Sequence, residues 1–195
     1  MKWIFIALFI GFLMVKDNSA LVKRGLANQT DDMLIIIKEK PQPNLPVKTN
    51  NWMSVQGGGN WEGLSNNQLH KRQLTFDNAE DGIRAGAISI ITRALRKNNK
   101  PELTMNQIFF ETDGWAEDKE SYKMDMMSKG FTEKDTFDVM DRDQMTKLIK
   151  FISNHEMGPN QYNQLKNVDK TINKALDRAY DYVLSDDYSL KELIK

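Results

Sequence analysis

The chain has 195 residues, 40% of them hydrophobic, which suits one globular domain with appendages and is too short for two full domains. Its 27 basic residues balance 27 acidic ones, so there is no electrostatic footprint for duplex DNA or RNA and nucleic acid is not an expected partner. The absence of cysteine excludes disulfides, thiolate zinc sites and thiol nucleophiles, and neither His70 nor His155 stands in a His-Glu-x-x-His arrangement. With no Walker-type loop and no Gly-x-Ser-x-Gly elbow either, no metal and no cofactor is expected.

Residues Trp3 to Val15 form an unbroken run of apolar residues and Gly behind Lys2, the layout of a secretory signal peptide or a short membrane anchor. As a helix at about 1.5 Å per residue it reaches about 20 Å, short of the roughly 30 Å hydrocarbon core, which favours a signal peptide. Asn18-Ser19-Ala20 is a poor cleavage site, which favours a retained anchor, so residues 1–20 carry both readings. Lys2 lies on one side of the run and Lys16, Lys23 and Arg24 on the other, so charge does not choose an orientation. Residues 21–47 read as an extended linker, stiffened by Pro41, Pro43 and Pro46 and interrupted by a β-favouring run from Met33 to Ile37.

A domain is expected from residue 48 to residue 195, mainly α with a small β element. It opens on an irregular segment, residues 48–64, rich in Asn and Gly and holding Trp52 and Trp61. Exposed Trp beside Asn suits sugar binding, because the ring face covers C–H surface while amides bond hydroxyls; two Trp anchors packing a Gly-rich loop onto the core fit the same residues. Leu74 to Asp77 predicts a short strand. Ala79 to Lys97 predicts a helix capped by Asp77 or Asn78, with Ile83, Ala87, Ile90, Ile91, Ala94 and Leu95 on one face and an Asp81–Arg84 pair across one turn. Pro101 breaks the chain, and Thr104 to Phe110 reads as a short helix. A loop from Trp115 to Tyr122 enters another helix, which Gly130 ends.

The next helix carries the most informative residue. Met145, Leu148, Ile149 and Ile152 share one face behind a cap from Asp141 or Asp143, and the position that continues the stripe is Glu156. Partial burial and the negative end of the helix macrodipole both disfavour its ionisation, as a catalytic acid requires. A solvated Glu on a frayed last turn fits the same pattern. His155, about 100° round the helix, is expected to cap the final carbonyls. Gly158 and Pro159 end the helix, and Val168, Ile172, Ala175, Leu176, Ala179 and Val183 predict one more amphipathic helix.

Taken together, Asn50-Asn51 with Val55, Trp61 with Gly63, Phe76-Asp77, Gly82-Ile83-Arg84-Ala85, Trp115-Ala116, Tyr122, Asp138-Val139, His155-Glu156, Gly158 and Tyr162 resemble, in order and spacing, a family of phage and prophage proteins often described as virion structural proteins. The likeness runs over roughly Lys48 to Leu176. It departs at the opening motif, where the family's Pro-Gly-Asn turn is replaced by Trp52, Met53 and Ser54 and its final Arg by Gln56. The order is also similar to goose-type lysozymes and glucosaminidases, with the helix that ends in the catalytic Glu moved to the end of the domain, as in a circular permutation.

The resemblance implies a lysozyme-like helical domain in which Glu156 is the catalytic acid and Asn50, Asn51, Trp61, Tyr122 and Tyr162 bind the glycan. It further implies a protein of the virion, and the apolar run behind Lys2 makes that protein membrane-associated or exported to the periplasmic side. Its partners would be peptidoglycan, a viral or bacterial membrane and other virion proteins. Two functions follow: a peptidoglycan-cleaving enzyme of the lytic transglycosylase or muramidase type, or a non-enzymatic, membrane-anchored virion structural protein.

Overall fold

The computed structural model describes residues 43–57 and 60–185. The Trp3–Val15 run, the Met33–Ile37 run and the last ten residues lie outside them. The described domain is mainly helical with a small two-stranded sheet. Among the described residues no helix is long and apolar enough to cross a membrane.

The chain enters through α1 (Leu45–Lys48), a single turn with Pro46 buried in its first residues. The missing N–H of a proline has no helical partner at that position anyway, so the residue fits there. Residues 45–47, expected to belong to an extended linker, are therefore part of the domain. A long loop leads to α2 (Ala79–Asn98), which Asn78 caps by accepting from the Asp81 N–H. The predicted apolar face of α2 is buried, but so are Ala85 and Ile88. A helix covered on nearly every side is the central element of a small domain rather than a surface one. Two glycines let the entry loop lie directly on it. A methyl group at Gly82 would overlap the Asn50 carbonyl oxygen, and one at Gly86 would overlap the Met53 thioether.

After α2, β1 (Glu102–Thr104) pairs antiparallel with β2 (Thr136–Asp138), Leu103 opposite Phe137. Between them run α3 (Met105–Phe109), opened by a Thr104–Gln107 capping box, and α4 (Lys119–Ser128), capped by Asp118. Neither strand stood out in the sequence, and the strand expected at Leu74–Asp77 is not one. That segment makes one isolated bridge, Phe76 with Leu64, and the residue before it, Gln73, makes another with Gln56, because their neighbours are loops and not extended partners.

Helix α5 (Arg142–Met157) begins at Asp141, whose carboxylate accepts from the Asp143 and Gln144 N–H groups. It buries Met145, Leu148, Ile149 and Ile152, the predicted stripe, together with Phe151. One turn, α6 (Pro159–Tyr162), follows, and then α7 (Val168–Leu184) buries Ile172, Ala175, Leu176, Ala179 and Val183. The α2–α7 pair is the most extensive helix packing, and α5 packs against both helices.

Candidate active site

Glu156 sits one residue before the end of α5, half-buried, and its Oε1 accepts a hydrogen bond from the hydroxyl of Tyr122. Tyr122 comes from the first turns of α4, 2% exposed, its ring packed among Phe109 and Phe151. Burial first, then the charge of Glu156, pushes the Tyr122 phenol well above its ordinary value, so it stays a neutral donor. The imidazole of His155 stacks on the Tyr122 ring with centroids 3.7 Å apart, and its Nδ1 lies 3.3 Å from Asp125 Oδ2. Asp125 stands three residues after Tyr122, on the same face of α4. His155 is thus not a cap for the α5 carbonyls as the sequence suggested. That end is closed by Gly158, with φ of 73°, whose N–H reaches the His155 carbonyl. The Asn44 amide donates to the Met157 carbonyl, tying the entry of the domain to the same helix end.

The other residues expected to bind glycan are distributed differently. Asn51 is 0% exposed, and its side chain is engaged inside the entry loop. Its Nδ2 donates to the carbonyls of Val55 and Leu74, each at 2.9 Å, and its Oδ1 accepts from the Val55 N–H at 2.8 Å. No surface remains for a sugar, so the expected binding role of Asn51 is corrected to that of an internal staple. Asn50 adopts a left-handed φ of 53° and donates to the carbonyls of Phe76 and Asp77, joining the same loop to the start of α2. Trp52 is buried, a core anchor, whereas Trp61 is half-buried and lines a cleft of about 570 Å³ beside α2. Tyr162 lines a second cleft with Lys150 and the first residues of α7, where burial and then Asp169 raise its phenol. Neither cleft includes Glu156. Of the expected set, Tyr122 is the residue that hydrogen-bonds Glu156 among the described residues, and it does so as a buried positioning group, too enclosed to serve as a stacking platform.

Two groups escaped sequence reasoning. The Asp125–His155 pair is one; the spacing of Tyr122 and Asp125 on one face of α4 was its only signal. The other is an ion cluster in which Arg178 reaches Asp81 at 2.7 Å, Glu62 at 2.8 Å and Glu80 at 3.0 Å, while Arg84 pairs with Glu62 at 3.0 Å. The expected Asp81–Arg84 pair is replaced by this arrangement, because α7 brings a guanidinium closer to Asp81 than one turn of α2 does. The cluster joins α2, α7 and the loop at Glu62.

What the fold and site define is thus a helical domain with one half-buried carboxylate held by a buried tyrosine at a helix end. No protein-family model matches the chain, and no curated protein matches it.

Proposed function

We propose that this protein binds and cleaves the glycan strands of peptidoglycan, in the manner of a lytic transglycosylase or muramidase, from a lysozyme-like helical domain. The single observation that carries this reading is the Tyr122 hydroxyl donating to Glu156 Oε1 at the end of α5. The hydrogen bond fixes the carboxyl rotamer and leaves Oε2 as the oxygen that exchanges a proton. A carboxyl group so oriented suits general acid–base work, where geometry must be set before the proton moves.

The chemistry then follows from how few acids are at hand. A usual glycosidase places two carboxyl groups across the scissile bond, one as acid and one as nucleophile or base. Here the other nearby carboxylate, Asp125, is engaged with His155. A one-carboxylate scheme fits better. Glu156 gives its proton to the glycosidic oxygen as the bond from that oxygen to the anomeric carbon breaks. A hydroxyl of the same sugar then attacks the anomeric carbon and returns its proton to Glu156. One glycosidic bond is exchanged for an internal one, and no water is consumed. The virion setting rests on the resemblance of residues 48–176 to phage virion proteins, and the contact with a membrane on the apolar run from Trp3 to Val15.

A second reading, a non-enzymatic membrane-anchored virion structural protein, draws on a different observation. Asn51 is sealed inside the entry loop and Trp61 lines a cleft that does not include Glu156, so the expected glycan-binding set is not gathered round the acid. Digestion of purified peptidoglycan by wild type and by Glu156→Gln separates the two. Solubilisation by wild type alone supports the enzyme, whereas inert wild type supports the structural protein.

A further inference from the structure

The cleft beside α2 has a lining that specifies a ligand. Trp61 and Tyr182 supply aromatic surface, and Ser89, Thr92, Arg93 and Arg96 project from successive turns of α2. Its volume of about 570 Å³ lies in the range of small-molecule sites. The Tyr182 wall is backed by Arg84, whose guanidinium carbon lies 5.2 Å from the ring centroid.

Three features narrow the chemistry. First, the two aliphatic hydroxyls in the lining already donate to α2 carbonyls, Ser89 to Ala85 at 2.9 Å and Thr92 to Ile88 at 2.8 Å. Their oxygens can therefore only accept, so the ligand must bring hydroxyl or amide donors. Secondly, the cations are unequal. Arg93 is neutralised by Asp113 at 2.8 Å, and Lys97 is paired with Glu111. Arg96, exposed at the same end of α2, has no ion-pair partner among the described residues. One uncompensated cation suits one carboxylate better than a multiply charged phosphate. Thirdly, indole and phenol faces beside hydroxyl acceptors match a pyranose ring, whose C–H face packs on aromatics while its hydroxyls point outward.

We propose that this cleft is a binding site for a carboxylate-bearing saccharide, with Trp61 and Tyr182 against the ring, Ser89 and Thr92 accepting from its hydroxyls and Arg96 holding the carboxylate. The site is separate from Glu156 and binds without cleaving. It goes beyond the catalytic proposal and does not depend on it. Two sources offer this chemistry, the muramic acid unit of peptidoglycan and a uronic acid of a surface polysaccharide.

The test is a titration of the full-length chain, followed by amide and indole NMR shifts. The probes are N-acetylmuramic acid, glucuronic acid, N-acetylglucosamine and adenosine monophosphate. Saturable shifts at Ser89, Thr92, Arg96 and the Trp61 indole are expected with the acidic sugars. N-acetylglucosamine, which lacks the carboxylate-bearing lactyl ether of N-acetylmuramic acid, should bind at least about fivefold more weakly than the tighter acidic sugar. The Arg96→Ala variant should remove that preference while leaving the spectrum of the folded domain intact, since Arg96 is exposed. The tighter of the two acidic sugars identifies the source. N-acetylglucosamine binding as tightly as the tighter acidic sugar, an acid preference that survives Arg96→Ala, or tighter binding of adenosine monophosphate would overturn the assignment. Because the readout is binding, an inactive Glu156 does not affect it.

Discussion

Replacing Asn51 by Ala tests whether its amide serves the fold or a ligand. The substitution removes two donors to the carbonyls of Val55 and Leu74 and the acceptor of the Val55 N–H, all belonging to one fully buried side chain. The carbonyl of Val55 keeps a second partner, the Leu74 N–H at 3.1 Å, so its loss is small. The Val55 N–H is left buried without an acceptor, which costs about 1–3 kcal/mol, and the Leu74 carbonyl and the vacated volume add to it. A total of about 2–4 kcal/mol is expected, which in a domain of this size lowers Tm by roughly 5–15 °C. Asn51→Asp is expected to be no better at neutral pH. It keeps the acceptor for Val55 but turns a charged oxygen toward two carbonyls. Thermal unfolding followed by circular dichroism reads both variants. An Asn51→Ala protein within 1 °C of wild type that had lost peptidoglycan binding would refute the staple and restore the amide to a ligand.

Two further expectations follow from buried charge and from titration. Arg178→Met leaves Asp81, which is buried, without its guanidinium partner. Breaking a buried pair costs about 3–5 kcal/mol; Arg178 is partly exposed, so roughly 2 kcal/mol is expected in a urea melt, and unchanged stability would argue against the cluster as a tie between α2 and α7. Tyr122 makes the domain sensitive to alkali. Its folded value lies above the unfolded value of about 10, so the unfolded chain loses the proton first; stability is unaffected below that pH and falls as the pH rises beyond it. Tyr180, pushed up to about 12 by burial, contributes in the same direction. Tyr122→Phe should therefore flatten the alkaline limb of the stability profile without abolishing it, and a limb as steep as that of wild type would contradict the assignment.

The three long helices were legible because each repeats an apolar face over several turns, and two of them carry a side-chain cap, Asn78 for α2 and Asp141 for α5, while α7 shows itself by its Val168–Val183 stripe alone. The sheet was not. Strands of three residues offer no periodicity, and β1 finds β2 more than thirty residues away through backbone groups that any sequence carries. Polar side chains divided along the same line. Glu156 was found because it continues an apolar stripe, so its half-burial is written in local spacing. The role of Asn51 is not legible, because an amide beside Trp and Gly looks the same whether it points outward to a sugar or inward to Val55. Sequence spacing offers Asp81 the cation nearest along the chain, Arg84, whereas the one it binds, Arg178, arrives from a helix almost a hundred residues on.

The central claim is that Glu156 is an acid held ready by Tyr122, and its most direct test is the rate at which wild type and Glu156→Gln solubilise purified peptidoglycan. The Gln side chain keeps the size of Glu and can still accept the Tyr122 hydroxyl, so it removes the proton and spares the packing. General acid catalysis contributes about 100- to 10,000-fold, so the variant should lose at least about 100-fold in rate while melting within a few degrees of wild type. If Glu156→Gln digests peptidoglycan as fast as wild type, or if wild type does not digest it at all, the account is contradicted.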